Sequence, residues 1–160
     1  YTGTIKKSFN RLLMSTTRKK VAIYQSHLHA VGGIETFIVN FCRRMHPLIE
    51  LTFIYGDADY KQLFKVAQYV DCVKLNYEQL PKFDTVIYAS CWGIEPSKFF
   101  KADKFIQMIH ADYEIYGKLT NFKYIKYKNT THHVAVSNNC KVAFEKVTPY
   151  KIDKVIYNLC

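Results

Sequence analysis

Gly32 and Gly33 stand directly before an amphipathic stretch, and a glycine pair in that place has two chemical consequences. The bare backbone comes close to a ligand, and the first amides of the helix that follows are left unpaired. Those amides and the helix dipole suit a phosphate or a sugar oxygen, although a plain strand–helix turn uses the same residues. The pair is not part of a GxGxxG fingerprint, and no GxxxxGK[ST] loop is present, so nicotinamide, flavin and P-loop sites have no support. His110 ends the apolar run 105–109. An imidazole there either polarises a hydroxyl or is satisfied by a neighbouring carbonyl. His27 and His29 lie two residues apart before Gly32, and His132-His133 add a second pair. No carboxylate or cysteine has a ligand's characteristic spacing to them, so no metal is expected. Cys91-Trp92-Gly93 follows another apolar run and shapes the same region; thiol catalysis there needs a base that no spacing supplies.

The elements that must position these residues alternate. Residues 21–24 are a short apolar run, read as a buried strand, with a loop from Gln25 to the glycine pair. Ile34, Phe37, Ile38, Phe41, Cys42 and Met45 recur at helical spacing, and Pro47 stops that helix. Strands are expected at 51–55, closed by Gly56-Asp57, and at 72–75, 84–89, 105–109, 133–136 and 154–157. Helices are expected at 58–69 and 138–147, with helical turns over 115–128. Short apolar strands alternating with helices predict an α/β Rossmann-like parallel sheet with helices on both faces. In such sheets ligands sit beyond the carboxyl ends of the strands, which points to the loops starting at Gln25, Ala89, His110 and Ser137.

The chain has 160 residues, about one domain, and 49% of them are hydrophobic, enough for a packed core. Thirteen tyrosines and eleven phenylalanines against six glycines and four prolines exclude a disordered or collagen-like chain. No run is long enough to span a bilayer, and no apolar centre marks a secretory signal. Five dispersed cysteines, with no CxxC pair, read as reduced thiols of a cytosolic protein. The formal charge of +10 draws nucleic acid, anionic lipid or phosphorylated substrates, or is simply a lysine-rich solvated surface. Residues 1–20 hold six basic side chains and no acid, and Ile5, Phe9, Leu12 and Leu13 share a helical face. Residues 1–19 are therefore read as a basic amphipathic helix that packs on a neighbour or lies on an anionic membrane. Lys118, Lys123, Lys126 and Lys128 interleave with Tyr113, Tyr116, Phe122, Tyr124 and Tyr127. That mixture suits a membrane interface, single-stranded nucleic acid, or a helix with one core face and one wet face. The chain starts at Tyr1 and stops at Cys160 after a strand-like run, and further residues are expected on both sides.

Residues 21–45 read VAIYQSHLHAVGGIETFIVNFCRRM. A hydrophobic strand, a loop and Gly-Gly-Ile-Glu opening an amphipathic helix resemble the first β–loop–α unit of the retaining GT-B glycosyltransferases of family-4 type. That family includes phosphatidylinositol mannosyltransferases and sucrose synthases. FIQMIH at 105–110, VAVS at 134–137 and KVIYN at 154–158 follow in the family's order, so the resemblance covers roughly 20–160. It implies that 20–160 is the acceptor-side, N-terminal half of a GT-B fold. Gly32 and Gly33 would approach the donor diphosphate, His110 would be catalytic, and His27, His29 and Asp112 would line the acceptor site. The donor nucleotide would be held by a C-terminal domain outside this sequence. The implied activity is sugar transfer from a nucleotide sugar to a glycan or lipid-linked acceptor. It needs no cofactor and no metal, since helix amides and cations neutralise the leaving diphosphate. The implied setting is cytoplasmic, peripheral on the inner face of the cell membrane, with no nucleic-acid partner. The alternative is a non-catalytic basic α/β module that binds anionic membrane or nucleic acid.

Overall fold

The computed structural model describes residues 18–29, 32–76, 80–89, 95–119 and 129–157. They form β1 (Lys20–Leu28), α1 (Gly33–Met45), β2 (Glu50–Ala58), α2 (Tyr60–Ala67), β3 (Asp71–Lys74), β4 (Phe83–Tyr88), a 3-10 turn (Pro96–Lys98), β5 (Ala102–Ile109), α3 (Tyr113–Leu119), β6 (His132–Ala135), α4 (Asn138–Val147) and β7 (Lys154–Val155). All seven strands join one sheet in the order β3-β2-β1-β4-β5-β6-β7, and every pairing is parallel. This is the expected α/β Rossmann-like arrangement. The strand order reverses between β1 and β4, where β2 and β3 run outward on one side and β4 to β7 on the other.

Side chains alternate across each strand, so the register sorts the sheet into two faces. Val21, Ile23, Leu51 and Phe53 cluster with Ile38 and Cys42 of α1 and Val66 of α2. Ala22, Tyr24, Val86, Tyr88 and Phe105 take the opposite face with Phe100 from the turn after β4. Further along that second face, Ile109 and Ala135 meet Tyr113 of α3 and Phe144 of α4. Helices therefore cover both faces, and the crossovers dispose of the backbone polar groups that a buried parallel sheet must satisfy.

Local chemistry ends the helices. His46 closes α1 by donating from Nδ1 to the Arg43 carbonyl at 2.9 Å. Asp59 caps α2, accepting from the amides of Lys61 at 2.8 Å and Gln62 at 3.4 Å. Ser137 Oγ caps α4 by accepting from the Cys140 amide at 3.1 Å. Glu35 in the first turn and Arg43 and Arg44 in the last turn of α1 complement its dipole.

Several expected boundaries move. The loop placed from Gln25 begins only after Leu28, and the strand expected to close at Gly56-Asp57 runs to Ala58. The reason is mutual: β1 and β2 stay paired through His27↔Asp57 and Leu28↔Ala58, so the polar ends of both remain in the ladder. The last strand is two residues long rather than four, β5 begins at Ala102, and α3 begins at Tyr113, two residues before the expected helical turns. The basic helix expected over 1–19, Cys91-Trp92-Gly93, and the aromatic–basic stretch from Phe122 to Lys128 lie outside the described residues, apart from Arg18 and Lys19.

Gly56 shows how tight the β1–β2 pair is. A Cβ built there would lie 2.6 Å from the Ser26 carbonyl oxygen, a backbone atom that moves only with its strand. Gly56→Ala is expected to lower stability by about 1–3 kcal/mol, read as a drop in the thermal midpoint. An unchanged midpoint would show that β1 and β2 can separate at this level without cost.

Candidate functional site

The carboxyl ends of β1, β4 and β5 share one edge of the sheet because all three strands run the same way. β1 leads to Gly32 and α1, and β5 leads to His110. The helix mouth and the imidazole, 77 positions apart by number from Gly33 to His110, thus reach the same edge. The link between them is direct. The His110 ring stands edge-on to the ring of Phe37, one turn into α1, with centroids 4.9 Å apart at 62°.

Among the described residues, four buried side-chain atoms have no hydrogen-bond partner: Gln25 Oε1, Ser26 Oγ, Gln107 Oε1 and His110 Nε2. All four belong to the carboxyl ends of β1 and β5, the strands on either side of β4. A buried polar group without a partner costs about 1–3 kcal/mol, so a concentration of four calls for a ligand or ordered water. Gln25 and His110 lie on the α1 face; Ser26 and Gln107 lie on the other, level with Tyr88, whose hydroxyl meets Thr130 Oγ1. Gln25 and Ser26 escape sequence reasoning because polar residues after an apolar run read as loop, and Gln107, inside the expected strand 105–109, because no local pattern tells whether its amide finds a partner. Burial is the only signal that finds them.

Burial pushes His110 down to a pKa of about 4, with no nearby charge opposing the shift. The ring is therefore neutral at pH 7. A neutral ring offers hydrogen bonding but no positive charge to a phosphate.

Gly32 is the N-cap of α1, with φ −143° and no side chain to offer a capping bond. Glu35 reaches back towards it: its Oε2 lies 2.8 Å from where a Gly32 Cβ would be. A carboxylate there already complements the helix dipole, and an incoming phosphate would have to displace it. A Cβ on Gly33 would meet nothing within 4 Å, so this position is open.

The expected acceptor residues fall into different settings. His27 and His29 lie at the end of β1, both exposed, with ring centroids 6.0 Å apart. His29 donates from Nε2 to Asp57 Oδ2 at 3.0 Å, a partner invisible in the sequence because β2 delivers it. Among the described residues no group of three or more His, Cys, Asp or Glu is placed to hold a metal ion. Asp112 caps α3, its Oδ1 accepting from the amides of Glu114 at 2.9 Å and Ile115 at 3.4 Å. His133, beside Gln107 in the β5–β6 register, is buried and stacked on Tyr150 at 4.9 Å, with its pKa lowered mainly by that burial. The thiols of Cys42, Cys72 and Cys140 are free, and burial raises the first to about 12 and the second to about 11, which leaves both unreactive.

Two open concavities lie at the other edge, one beside Lys82, Lys101 and Thr131, the other beside Arg18, Glu50 and Asp71. Neither is lined by Gln25, Ser26, Gln107, His110, the glycine pair or the expected acceptor residues. The amino ends of parallel strands are not where such sheets bind ligands, and no orphaned polar atom points to them. The carboxyl-end edge of β1 and β5, where the partnerless atoms lie, is therefore the candidate site.

The chain matches no family model, no curated protein and no solved structure. The site thus rests on its own chemistry.

The depressed His110 pKa fixes a pH dependence. Its folded value lies below the unfolded value of about 6.5, so the unfolded chain binds the extra proton. The stability it contributes is present above about pH 6.5 and is lost as pH falls towards 4, by roughly 3 kcal/mol at most. His133 adds a loss of the same sign. Urea unfolding of wild type and His110→Gln between pH 7 and 4.5 is expected to show a shallower fall for the variant. Parallel curves would mean that His110 is solvated.

Proposed function

We propose that the chain is the acceptor-side domain of a sugar transferase that takes its donor from a nucleotide sugar, the nucleotide being held by a second domain. One observation carries the reading: the helix that opens at Gly32-Gly33 and His110, whose buried Nε2 has no partner, meet through Phe37 at the carboxyl-end edge of the sheet, beside the point where strand order reverses. The order and spacing of the segments 21–45, 105–110 and 134–137 support the same reading.

In this proposal the carboxyl-end edge holds the two reacting oxygens. His110 orients a hydroxyl or the transferred sugar through Nε2, as a neutral imidazole can. The open backbone at Gly33 receives the leaving diphosphate oxygens, and Glu35 swings aside from Gly32 to admit them. Charge neutralisation by helix amides lowers the barrier without a metal. His27, with His29 held by Asp57, borders the acceptor entrance from β1.

The test uses the product of the complete reading frame, a panel of nucleotide sugars, and release of nucleoside diphosphate as readout. His110→Ala is expected to lower kcat by about 10²-fold or more. Gly33→Val is expected to fold with an unchanged thermal midpoint, since its side chain has room, and yet to lose turnover by blocking the diphosphate. Turnover unchanged in both variants would remove the site assignment.

A second reading, a basic module on anionic membrane, is favoured by α3. Ile115 and Leu119 are 62% and 79% exposed one turn apart, beside Lys118. Among the described residues no helix is long and apolar enough to cross a membrane, so contact through α3 would be peripheral. Flotation with phosphatidylserine vesicles is expected to fall when both Ile115 and Leu119 become Glu. Retention equal to wild type would leave α3 without a membrane role.

A further inference from the structure

α2 is apolar over more of its circumference than the sheet covers. Val66 faces the core and Leu63 is half-buried beside it. Further round the helix come Ala67, Tyr60 and Phe64, of which Tyr60 is 79% and Phe64 59% exposed. With 3.6 residues per turn, the arc from Val66 to Phe64 is about 160° wide. The usual core-facing stripe is about 100°. Lys61 and Lys65 bound the arc on its wet side. Its outer part is a second apolar face, left bare among the described residues.

The chain enters the sheet at the foot of this face. α2 runs from the carboxyl end of β2 at Ala58 back to the amino start of β3 at Asp71. Ala67 and Gln68 at its end line the amino-edge concavity together with Arg18, Glu50 and Asp71. The Lys19 carbonyl accepts from the Glu50 amide at 3.0 Å, which pins the chain there. Residues 1–17 are therefore tethered beside the last turn of α2. The five steps from Leu13 to Arg18 reach up to about 17 Å. Ile5, Phe9, Leu12 and Leu13 share one helical face. As helix, Ile5 to Leu13 is about 12 Å long, and Tyr60 to Ala67 is about 10 Å, so the two apolar faces match in length.

Charge and area choose between occupants. Residues 1–17 carry Lys6, Lys7 and Arg11 and no acid. Exposed acids stand at both ends of the bare face, Asp57 and Asp59 where α2 starts and Glu50 and Asp71 where it stops. Those carboxylates suit a basic segment and disfavour an anionic lipid surface. A second copy would need about 800 Å² on each partner, and an eight-residue helix offers a fraction of that. A tethered segment needs far less, because a short linker holds it at roughly millimolar local concentration.

We propose that this chain's own residues 5–13 dock as a helix along the outer face of α2, with Leu13 over Ala67, Phe9 over Phe64 and Ile5 towards Tyr60. The docking holds whether or not the chain transfers a sugar.

The test places p-benzoylphenylalanine at Phe64 in the full chain and maps the photo-adduct by mass spectrometry. An adduct within one chain, on residues 5–13, is expected. Because that side chain keeps the shape of the original ring, the result does not depend on a destabilising change. No adduct on residues 5–13, or a covalent dimer through position 64, overturns the proposal, and the dimer would assign the face to a second copy. The second measurement is thermal unfolding of Phe9→Glu, Phe64→Glu and the double variant, all in the full chain. Each single change is expected to lower the midpoint by about 3 °C or more, and the double variant to fall no further than the lower single one. Unchanged midpoints in the single variants, or falls that add in the double variant, would show that the two rings never meet.

Discussion

The structure depends on the double pairing of β1. It is hydrogen-bonded to β2 on one side and β4 on the other, both parallel, and strand order turns round at that point. Parallel neighbours need right-handed crossovers, so connections that leave in opposite directions along the sheet cover opposite faces. The backbone after β1 enters α1 on one face, while Phe99 and Phe100 after β4 pack against Tyr24 on the other. In sheets of this kind ligands sit beyond the carboxyl ends of the strands where the order reverses. Gly56 is the steric signature of this arrangement, since β2 reaches Ser26 only where it has no side chain.

Placing polar residues at the end of a central strand has an energetic consequence. Gln25 and Ser26 are buried because β1 and β2 remain paired beyond the point where the apolar run ends. A Val or Leu at either position would fill the same space with no unsatisfied atom. The chain instead carries orphaned oxygens on both faces of β1 and again on β5. Sites of this kind reduce stability and acquire value only when something hydrogen-bonds to them. That is why the carboxyl-end edge, and not the open concavities at the other edge, is the chemically informative part of the surface.

The electrostatics of the carboxyl-end edge are quieter than a charge of +10 suggests. His110 is neutral through burial, Glu35 brings a carboxylate to the helix mouth, and Asp57 accepts a hydrogen bond from His29. The described ion pairs, such as Lys82–Asp103 and Lys146–Glu114, are exposed and lie elsewhere on the surface. Long-range attraction from the basic surface can bring an anionic partner near, but recognition at this edge is by hydrogen bonds at short range.

Much of this architecture was legible in the residues themselves. The period of Ile34, Ile38 and Cys42 defined α1, Pro47 marked its end, and short apolar runs located the strands, because period and end signals are local physics. A glycine pair at a helix start and a histidine at a strand end were visible for the same reason. Tertiary structure alone decided the rest. Strand order is a long-range property, so only the fold could join Gly33 to His110 through Phe37, deliver Asp57 to His29, and use Asp112 as a helix cap. It also converted Gln25 from an expected loop residue into a buried one. Hydrogen-bond partners in a parallel sheet come from strands distant in sequence, and no local pattern records which of them will be missing.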